Sequence, residues 1–263
     1  MNESTIPLAK VTRPRIHGPI LRKRLFKMLD ERERHSVIWV SGPPGSGKTT
    51  LVASYLDSRK IPSYWLQLDE GDRDPATFFS YLGDLAKQKK DSKDAPPLPF
   101  LTPDYLPDLT GFTRRFFRTL FSQLGRGAVL VLDNCQEAAG ERFDVILREG
   151  LSETPLGVSV IALSRTDVPT ALARLRVMQQ LAVIGSEQLR LTLDESREIA
   201  AKHDVSGEQV VAALHRQVDG WAAGLALLLM GGNQADELEP RITKASKETV
   251  FEYFAGEIPI LFS

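Results

Sequence analysis

The chain has 263 residues, enough for one large α/β domain or a core with a small companion, and its 42% hydrophobic and 25% charged residues are typical of globular proteins. Its 33 Lys and Arg residues against 34 Asp and Glu give a formal net charge of −1, without the basic excess usual in nucleic-acid-binding domains. No apolar run approaches the roughly 18 residues that span a bilayer, Met1–Lys10 lacks the apolar core of a signal peptide, and Cys135 has no second cysteine for a disulfide. We therefore expect a cytoplasmic protein with no membrane partner.

The first predicted elements are an N-terminal arm and one helix, together covering residues 1–30. Prolines at positions 7, 14 and 19 oppose regular structure in the arm. Between Leu21 and Leu29, apolar side chains recur at helical spacing and basic residues occupy the other side. The sequence therefore predicts an extended arm followed by an amphipathic helix.

Short apolar runs then alternate with helical stretches through residues 31–191. The helical stretches include Pro75–Lys87 and Phe112–Leu124. The predicted strands are Val37–Val40, Tyr64–Leu68, Ala128–Leu132, Val158–Leu163 and, more weakly, Gln188–Leu191. Strands that alternate with helices favour a parallel sheet that is covered on both faces. The sequence thus predicts an α/β core with a five-stranded, mostly parallel sheet.

A proline-rich segment over residues 88–110 interrupts this alternation. Prolines at 96, 97, 99, 103 and 107 deny the segment a regular ladder or helix. We predict a long surface loop, because such insertions usually lie on surfaces. A proline-rich ligand for another domain is the alternative.

From Thr192 onward the pattern becomes helical. Thr192–Glu195 and Ser206–Gln209 both fit capping boxes, which open helices. The predicted helices are Asp194–His203, Gly207–Val218 and Ala222–Met230. These elements predict a small helical subdomain over residues 192–232. The polar residues after it predict a linker and the start of a truncated following domain over residues 233–263.

One loop carries the clearest functional motif. Residues 42–50 read Gly-Pro-Pro-Gly-Ser-Gly-Lys-Thr-Thr and match the phosphate-loop pattern G-x-x-x-x-G-K-[ST] between a predicted strand and a predicted helix. Glycines let the backbone curl so that successive N–H groups face an anion, and the helix dipole adds attraction. With the predicted five-stranded sheet, this motif indicates the fold of a P-loop NTPase. A chance Gly-rich turn is the alternative. The residues predicted to bind the nucleotide are Gly42, Pro43, Gly45, Ser46, Gly47, Lys48, Thr49 and Thr50.

The predicted ligands are ATP or ADP together with Mg²⁺. The ammonium of Lys48 is expected to reach the β- and γ-phosphates and to act in catalysis, and the Thr49 hydroxyl is expected to bind the metal. Asp133 ends the apolar run Val129–Leu132, and its carboxylate is expected to hold the metal directly or through a water. A solvated Asp at the start of a loop is the alternative for Asp133.

The residue after Asp133 bears on whether ATP is hydrolysed. Asn134 lies where many ATPases of this broad type carry a second acid. An acid can deprotonate the attacking water, whereas an amide can orient the water but cannot take its proton. Glu137 is a weaker candidate for the base. The sequence therefore predicts hydrolysis that is slow, regulated or absent.

Charged residues also follow two other predicted strands. Arg165, after the fourth strand, is predicted to contact the γ-phosphate and act in catalysis as a sensor, the alternative being a surface arginine. Asp69, after the second strand, is equally compatible with positioning the attacking water and with a structural role. Asp72 and Asp74 are predicted to cap the helix that begins at Pro75.

With these motifs, the chain resembles the nucleotide-binding module of the STAND class of signal-transduction ATPases. More narrowly, it resembles the MalT-like group of large ATP-binding LuxR-type bacterial transcription regulators. The resemblance covers nearly the whole chain. It rests on the phosphate loop and on the segments Arg13-Pro14, Arg22–Leu25, Trp65–Asp72, Phe78, Tyr81-Leu82, Asp133, Leu163–Arg165, Ile184–Ser186 and Asp219–Leu225.

The resemblance implies a regulatory switch. In such proteins ADP holds a closed form, and ATP with an inducer opens it for self-association. Trp221 and Gly224 would then belong to a lid over the nucleotide, and residues around Arg13 to Arg22 would line the adenine pocket. Further domains normally follow, including a helix-turn-helix DNA-binding domain. The chain stops before those parts, so we expect no DNA binding by this chain alone.

Three classes of function remain open from the sequence. The first is a regulatory ATP switch, the second is a nucleotide-binding interaction domain without turnover, and the third is a P-loop phosphotransferase. A phosphotransferase needs an acceptor site and a base beyond Asp133, and no convincing set is present. A helical lid after the core favours the switch, because a lid can report which nucleotide is bound.

Overall fold

The computed structural model describes residues 8–16, 18–32, 35–87 and 96–231. These residues divide into two compact units. The first unit holds the chain up to Pro43 together with Lys48–Gln188, and the second holds Pro44–Gly47 together with the residues from Leu189 onward. The predicted linker and following domain, residues 233–263, lie outside the described residues.

The first unit is built on a parallel five-stranded sheet. In chain order the strands are β1 (Val37–Ser41), β2 (Ser63–Gln67), β3 (Val129–Asp133), β4 (Ser159–Ser164) and β5 (Leu181–Ile184). Their order across the sheet is β2-β3-β4-β1-β5, and every neighbouring pair is parallel. β1 and β3 are buried along their whole lengths, as expected for strands covered on both faces. The predicted α/β architecture with a five-stranded sheet is confirmed.

Helices connect the strands and continue after them. Those that begin in the first unit are α1 (Lys23–Arg32), α2 (Lys48–Ser58), α3 (Pro75–Ala86), α4 (Leu109–Leu124), α5 (Glu141–Leu151), α6 (Ala173–Val177) and α7 (Ser186–Leu189). Those of the second unit are α8 (Leu193–Lys202), α9 (Glu208–Val218) and α10 (Ala222–Gly231). Trp39 and Trp65 are buried on β1 and β2, as the sequence predicts for core residues.

The position predicted for the fifth strand is wrong. The sequence favours Gln188–Leu191, but β5 is the apolar run Leu181–Ile184, and its register pairs Val37 with Leu181. The alternating leucines after Gln188 have another cause. Leu191 packs in the core of the helical unit with Ala200 and Leu225, so its burial does not come from a sheet.

The helix starts agree with the sequence in one case and differ in another. At α8 the Thr192 side chain accepts from the backbone N–H of Glu195, and the Glu195 carboxylate accepts from the N–H of Thr192, so this capping box is confirmed. The second predicted box, Ser206–Gln209, is wrong, because α9 begins after Gly207 with no side-chain cap. Glycine tolerates that N-cap position at a cost of only a few tenths of a kcal/mol.

The C-terminal part of the proline-rich segment is helical, whereas the sequence predicts a loop over all of residues 88–110. Residues 88–95 lie outside the described part of the chain. Beyond them, Pro103–Asp108 forms a 3-10 helix, and α4 begins at Leu109, where the Asp108 carboxylate accepts from the backbone N–H of Gly111. The buried side chain of Leu101 anchors the segment to the core of the first unit.

Candidate functional site

The predicted phosphate loop lies between the carboxyl end of β1 and the start of α2. Gly45 and Gly47 have backbone φ angles of 69° and 85°, a left-handed conformation that other residues adopt only with strain. α2 begins at Lys48, directly after the loop. The sequence pattern therefore forms the local backbone that directs N–H groups and a helix N-terminus toward an anion.

The ammonium of Lys48 contacts the beginning of the loop. Its Nζ donates to the carbonyl oxygens of Gly42, at 2.7 Å, and Pro43, at 3.0 Å. The Lys48 side chain is buried, so these polar contacts satisfy a charge that would otherwise lose solvation. Because a lysine side chain is long and flexible, the same ammonium can exchange these carbonyls for phosphate oxygens.

Thr49 and Asp133 meet although 84 residues separate them in the sequence. The Thr49 Oγ1 in the first turn of α2 donates to the Asp133 Oδ2 at the end of β3, over 3.0 Å. A hydroxyl oxygen beside a carboxylate is the hard donor set that suits Mg²⁺. The buried Oγ of Ser46 has no hydrogen-bond partner among the described residues, which is consistent with a ligand at this loop. The residues present thus fit a nucleotide with its metal.

The environment of Asp133 perturbs its acidity. Burial raises the pKa of the Asp133 carboxyl above its ordinary value. Hydrogen bonds from the Thr49 hydroxyl and the Asn134 backbone N–H oppose this rise, as does the charge of Lys48. The ionised carboxylate is therefore costly in the protein alone, and a bound cation would compensate for that cost.

Arg165 lies at the carboxyl end of β4, which the sheet places between β1 and β3. The strand before Arg165, β4, lies between β1, which leads into the phosphate loop, and β3, which ends at Asp133. Ligands bind at this edge in open α/β sheets. The backbone N–H of Arg165 donates to the Gln136 Oε1 at 2.9 Å, and its side chain is exposed. The sequence reasoning missed Gln136, because a glutamine in a loop carries no recognisable signal.

The residues after Asp133 have structural partners of their own. Asn134 adopts a left-handed φ of 62°, which asparagine tolerates better than most residues. Asn134 therefore allows the chain to turn after β3, and this is separate from the predicted orientation of the attacking water by its amide. The Glu137 carboxylate accepts from the Gln136 amide, and the Glu137 carbonyl accepts from Arg73.

The acidic cluster after β2 has structural contacts. Asp69 and Asp72 form the capping box of a 3-10 helix, Glu70–Arg73, and each lies 2.7 Å from the Lys10 ammonium. The hydrogen bond from Lys10 lowers the pKa of Asp69, whereas burial raises the pKa of Asp72. Asp74 caps α3 by accepting from the Thr77 N–H, so its predicted role is confirmed. Asp72 caps the 3-10 helix and not α3, which corrects its predicted role.

The remaining predicted ligand residues lie in different surroundings. Thr50 is exposed in the first turn of α2. Trp221 precedes α10, and its indole Nε1 donates to the Pro44 carbonyl at 2.9 Å within the second unit. Arg13, predicted near the adenine, forms an ion pair with Asp57, and Arg22 is buried.

Other kinds of site find no support in the described residues. In that part of the chain, no group of three or more His, Cys, Asp or Glu residues could hold a metal ion. None of the helices formed there is long and apolar enough to cross a membrane. The thiol of Cys135 is buried, and burial raises its pKa, so it is a poor nucleophile.

Comparisons with known proteins agree with this geometry. The chain is 28% identical over 257 residues to the HTH-type transcriptional regulator MalT of Serratia proteamaculans. The aligned region covers 95% of this chain and 28% of that protein. The chain is also 29% identical over 235 residues to MalT of Cronobacter sakazakii, covering 86% of this chain and 25% of the relative. The chain thus spans about a quarter of the length of these curated relatives. The resemblance to MalT-like NTPase domains that the sequence motifs predict is confirmed.

A solved structure and a family model agree on the fold. A Walker-type ATPase of Pyrococcus abyssi superimposes with a TM-score of 0.58 at 16% identity, covering 90% of this chain and 74% of that one, which supports the P-loop NTPase fold alone. The model of the AAA ATPase domain matches residues 21–163, more than half of the chain. That span includes the phosphate loop, Asp133 and all of β4 except its last residue. The chain therefore belongs to the AAA ATPase domain family.

Proposed function

We propose that the chain is an ATP- and ADP-binding regulatory switch module with slow or regulated ATP hydrolysis. The observation that carries the proposal is the pairing of Thr49 with Asp133 at 3.0 Å, beside a loop whose buried Lys48 donates to two backbone carbonyls of the loop itself. A helix-terminal hydroxyl, a strand-terminal carboxylate and an ammonium are the groups that bind a magnesium–polyphosphate complex.

Each group has a distinct part in binding the nucleotide. The loop N–H groups and Lys48 would hold the phosphates, and Thr49 and Asp133 would hold Mg²⁺. The metal would neutralise phosphate charge when bound. Arg165 would contact the γ-phosphate and so distinguish ATP from ADP, because a guanidinium binds phosphate oxygens strongly. This assignment follows from the position of Arg165 at the end of β4.

The proposed slow turnover rests on Asn134. The Asn134 amide cannot accept a proton from water, and the Glu137 carboxylate already accepts a hydrogen bond from Gln136. Without a general base, hydrolysis should proceed on the order of 10⁻³ s⁻¹ or slower, as in a GTPase without its activator.

The regulatory part of the proposal comes from the relatives. Proteins named as HTH-type transcriptional regulators contain a segment similar to this chain, and that segment is about a quarter of their length. We propose that the chain serves a signal-responsive transcription regulator and that the longer protein self-associates when ATP is bound. The net charge of −1 supports the further proposal that this chain alone does not bind DNA.

Single-turnover hydrolysis with the protein in excess over labelled ATP tests the proposed turnover. The unaltered chain should cleave ATP slowly, and Asn134→Asp should accelerate cleavage by about 10²-fold if the new acid accepts the proton. Lys48→Ala gives the background, because it lacks the phosphate contact. Brisk cleavage by the unaltered chain would contradict the role given to Asn134.

A non-hydrolysing nucleotide-binding domain is the second candidate, and Asn134 is the observation that favours it. If neither the unaltered chain nor Asn134→Asp exceeds the Lys48→Ala background, this second function replaces the first. The nucleotide retained after purification adds an independent readout. Retained ADP would support a switch that rests in its ADP form.

A further inference from the structure

The middle of the phosphate loop belongs structurally to the helical unit. Residues Pro44–Gly47 form one compact unit with the residues from Leu189 onward. Two hydrogen bonds make the connection, and both use carbonyl oxygens of the loop. The Trp221 indole Nε1 donates to the Pro44 oxygen at 2.9 Å, and the Ala223 backbone N–H donates to the Gly45 oxygen at 3.0 Å.

These contacts complete the N-terminus of α10. The first N–H groups of a helix have no acceptor inside the helix, and a polar side chain usually supplies one. The residue before α10 is Trp221, which has no side-chain oxygen, and Ala223 is the second residue of the helix. The Gly45 carbonyl supplies the missing acceptor, so the loop caps α10.

The absence of a side chain at Gly45 permits this contact. A Cβ at Gly45 would overlap the Cβ of Ala223 and lie 3.1 Å from Nε1 of Trp221. The glycine is therefore required by the approach of α10 as well as by its φ of 69°.

The two carbonyls determine where two N–H groups point. A peptide bond is planar and trans, so its C=O and its N–H point in opposite directions. The described peptide bonds include no cis bond. The Pro44 carbonyl shares its peptide plane with the N–H of Gly45, and the Gly45 carbonyl shares its plane with the N–H of Ser46. When Trp221 and the N-terminus of α10 bind the two carbonyl oxygens, the N–H groups of Gly45 and Ser46 therefore point away from α10.

We propose that Trp221 is a positioning residue for the phosphate cradle. By donating to Pro44, and together with the Ala223 N–H, it fixes the direction in which the N–H groups of Gly45 and Ser46 meet the polyphosphate. This inference rests on the proposed nucleotide binding and differs from a contact between Trp221 and the base. N–H donors that are already held in position lose less conformational entropy when the ligand binds than donors on a mobile loop do, so they bind the ligand more tightly.

The same geometry makes the coupling reciprocal. An N–H that donates to an anion polarises its amide and makes the carbonyl of that amide a better acceptor. Phosphate bound at Gly45 and Ser46 therefore strengthens the hydrogen bonds from Trp221 and Ala223. By linkage, a loop held by α10 binds phosphate more tightly.

The Trp221→Phe variant tests the proposal, because it removes the N–H donor and retains an aromatic ring. Affinities for ADP and for inorganic pyrophosphate are measured by calorimetry with Mg²⁺. We expect both to fall by the same factor, about three- to tenfold, the loss of one neutral hydrogen bond. Met230→Ala is the matched control, since Met230 is 70% exposed at the other end of α10, and it should leave both affinities unchanged.

Each other outcome is decisive. Weaker ADP binding with unchanged pyrophosphate binding would show that Trp221 contacts the base, and unchanged binding of both ligands would show that the hydrogen bond is not used. Either result overturns the proposal. If the unaltered chain binds neither ligand, the proposed function fails first and this inference falls with it.

A measurement on the unaltered protein guards against a variant that folds poorly. The NMR signal of the Trp221 indole N–H, assigned by its loss in Trp221→Phe, should move downfield when ADP or pyrophosphate binds. The Ala223 amide should exchange its hydrogen more slowly in either complex. An indole signal that moves with ADP and not with pyrophosphate would contradict the positioning role.

Discussion

At the scale of single residues, the metal-binding role that we propose for Asp133 comes with a cost to stability. Its carboxyl is buried and its pKa is raised by that burial, so the folded protein holds the proton more tightly than the unfolded chain does. The contribution of Asp133 to the free energy of unfolding therefore decreases as pH rises from the ordinary carboxyl pKa through the raised one. A cation bound beside the ionised carboxylate of Asp133 would offset this loss of stability.

This cost predicts opposite effects for Asp133→Asn. The amide oxygen can still accept from the Asn134 N–H, the NH2 group in the place of Oδ2 can donate to the Thr49 hydroxyl oxygen, and the buried charge is gone. We expect the free energy of unfolding at pH 7, measured by urea denaturation, to increase. The enhancement of ATP affinity by Mg²⁺ should fall by about 10–100-fold in calorimetry. A variant that unfolds more easily at pH 7 and keeps its magnesium dependence would contradict this account.

Residues inside a contiguous motif could be predicted from the sequence, and those joined across the fold could not. The loop pattern predicts Lys48 and Thr49, because the chemistry of phosphate binding prescribes residue types at fixed spacing. Gln136 contacts Arg165 from 29 positions away, and Trp221 contacts Pro44 from 177 positions away. Contacts between residues so far apart produce no periodic pattern in the sequence, so neither could be predicted from it.

At the scale of elements, the packing of α4 against α5 depends on one glycine. The ring of Phe117 on α4 lies 2.5 Å from the position that a Cβ at Gly150 on α5 would occupy. Phe117 itself packs among other buried phenylalanines, with its ring centroid 5.6 Å from that of Phe121 and 6.2 Å from that of Phe116. The ring cannot move away without disturbing that cluster.

Two glycine substitutions in helices separate packing from helix propensity. Gly150→Ala should lower the free energy of unfolding by about 1–3 kcal/mol, because the added methyl overpacks the contact with Phe117. Gly83→Ala on α3 is the control, since no atom lies within 4 Å of its added Cβ, and it should raise stability by about 0.5–1 kcal/mol. Chemical denaturation of both variants measures the difference. Equal effects would contradict the close approach of α5 to Phe117.

The strands show which elements a sequence can locate. The predicted strand Ala128–Leu132 matches β3 to within one residue at each end, since a strand buried on both faces is apolar almost without interruption. The short β5 is harder to locate, because the leucines that follow Gln188 alternate like a strand. Leu191 among them is buried in helical surroundings, and the periodicity of one segment cannot distinguish that burial from burial in a sheet.

At the scale of the whole molecule, the residues of the phosphate loop are divided between the two compact units. Its ends, Gly42-Pro43 and Lys48-Thr49, belong to the unit with the sheet, and Pro44–Gly47 belong to the unit with the helices.

Isothermal titration of the chain with ATP and Mg²⁺ tests the central claim most directly. The unaltered protein should bind, and Lys48→Ala should lose about 3 kcal/mol, or roughly 100-fold in affinity, because it lacks the charge-assisted phosphate contact. Lys23→Ala, at the exposed start of α1, should bind like the unaltered protein. If Lys48→Ala retains the affinity of the unaltered chain, the nucleotide does not bind at this loop and the account is wrong.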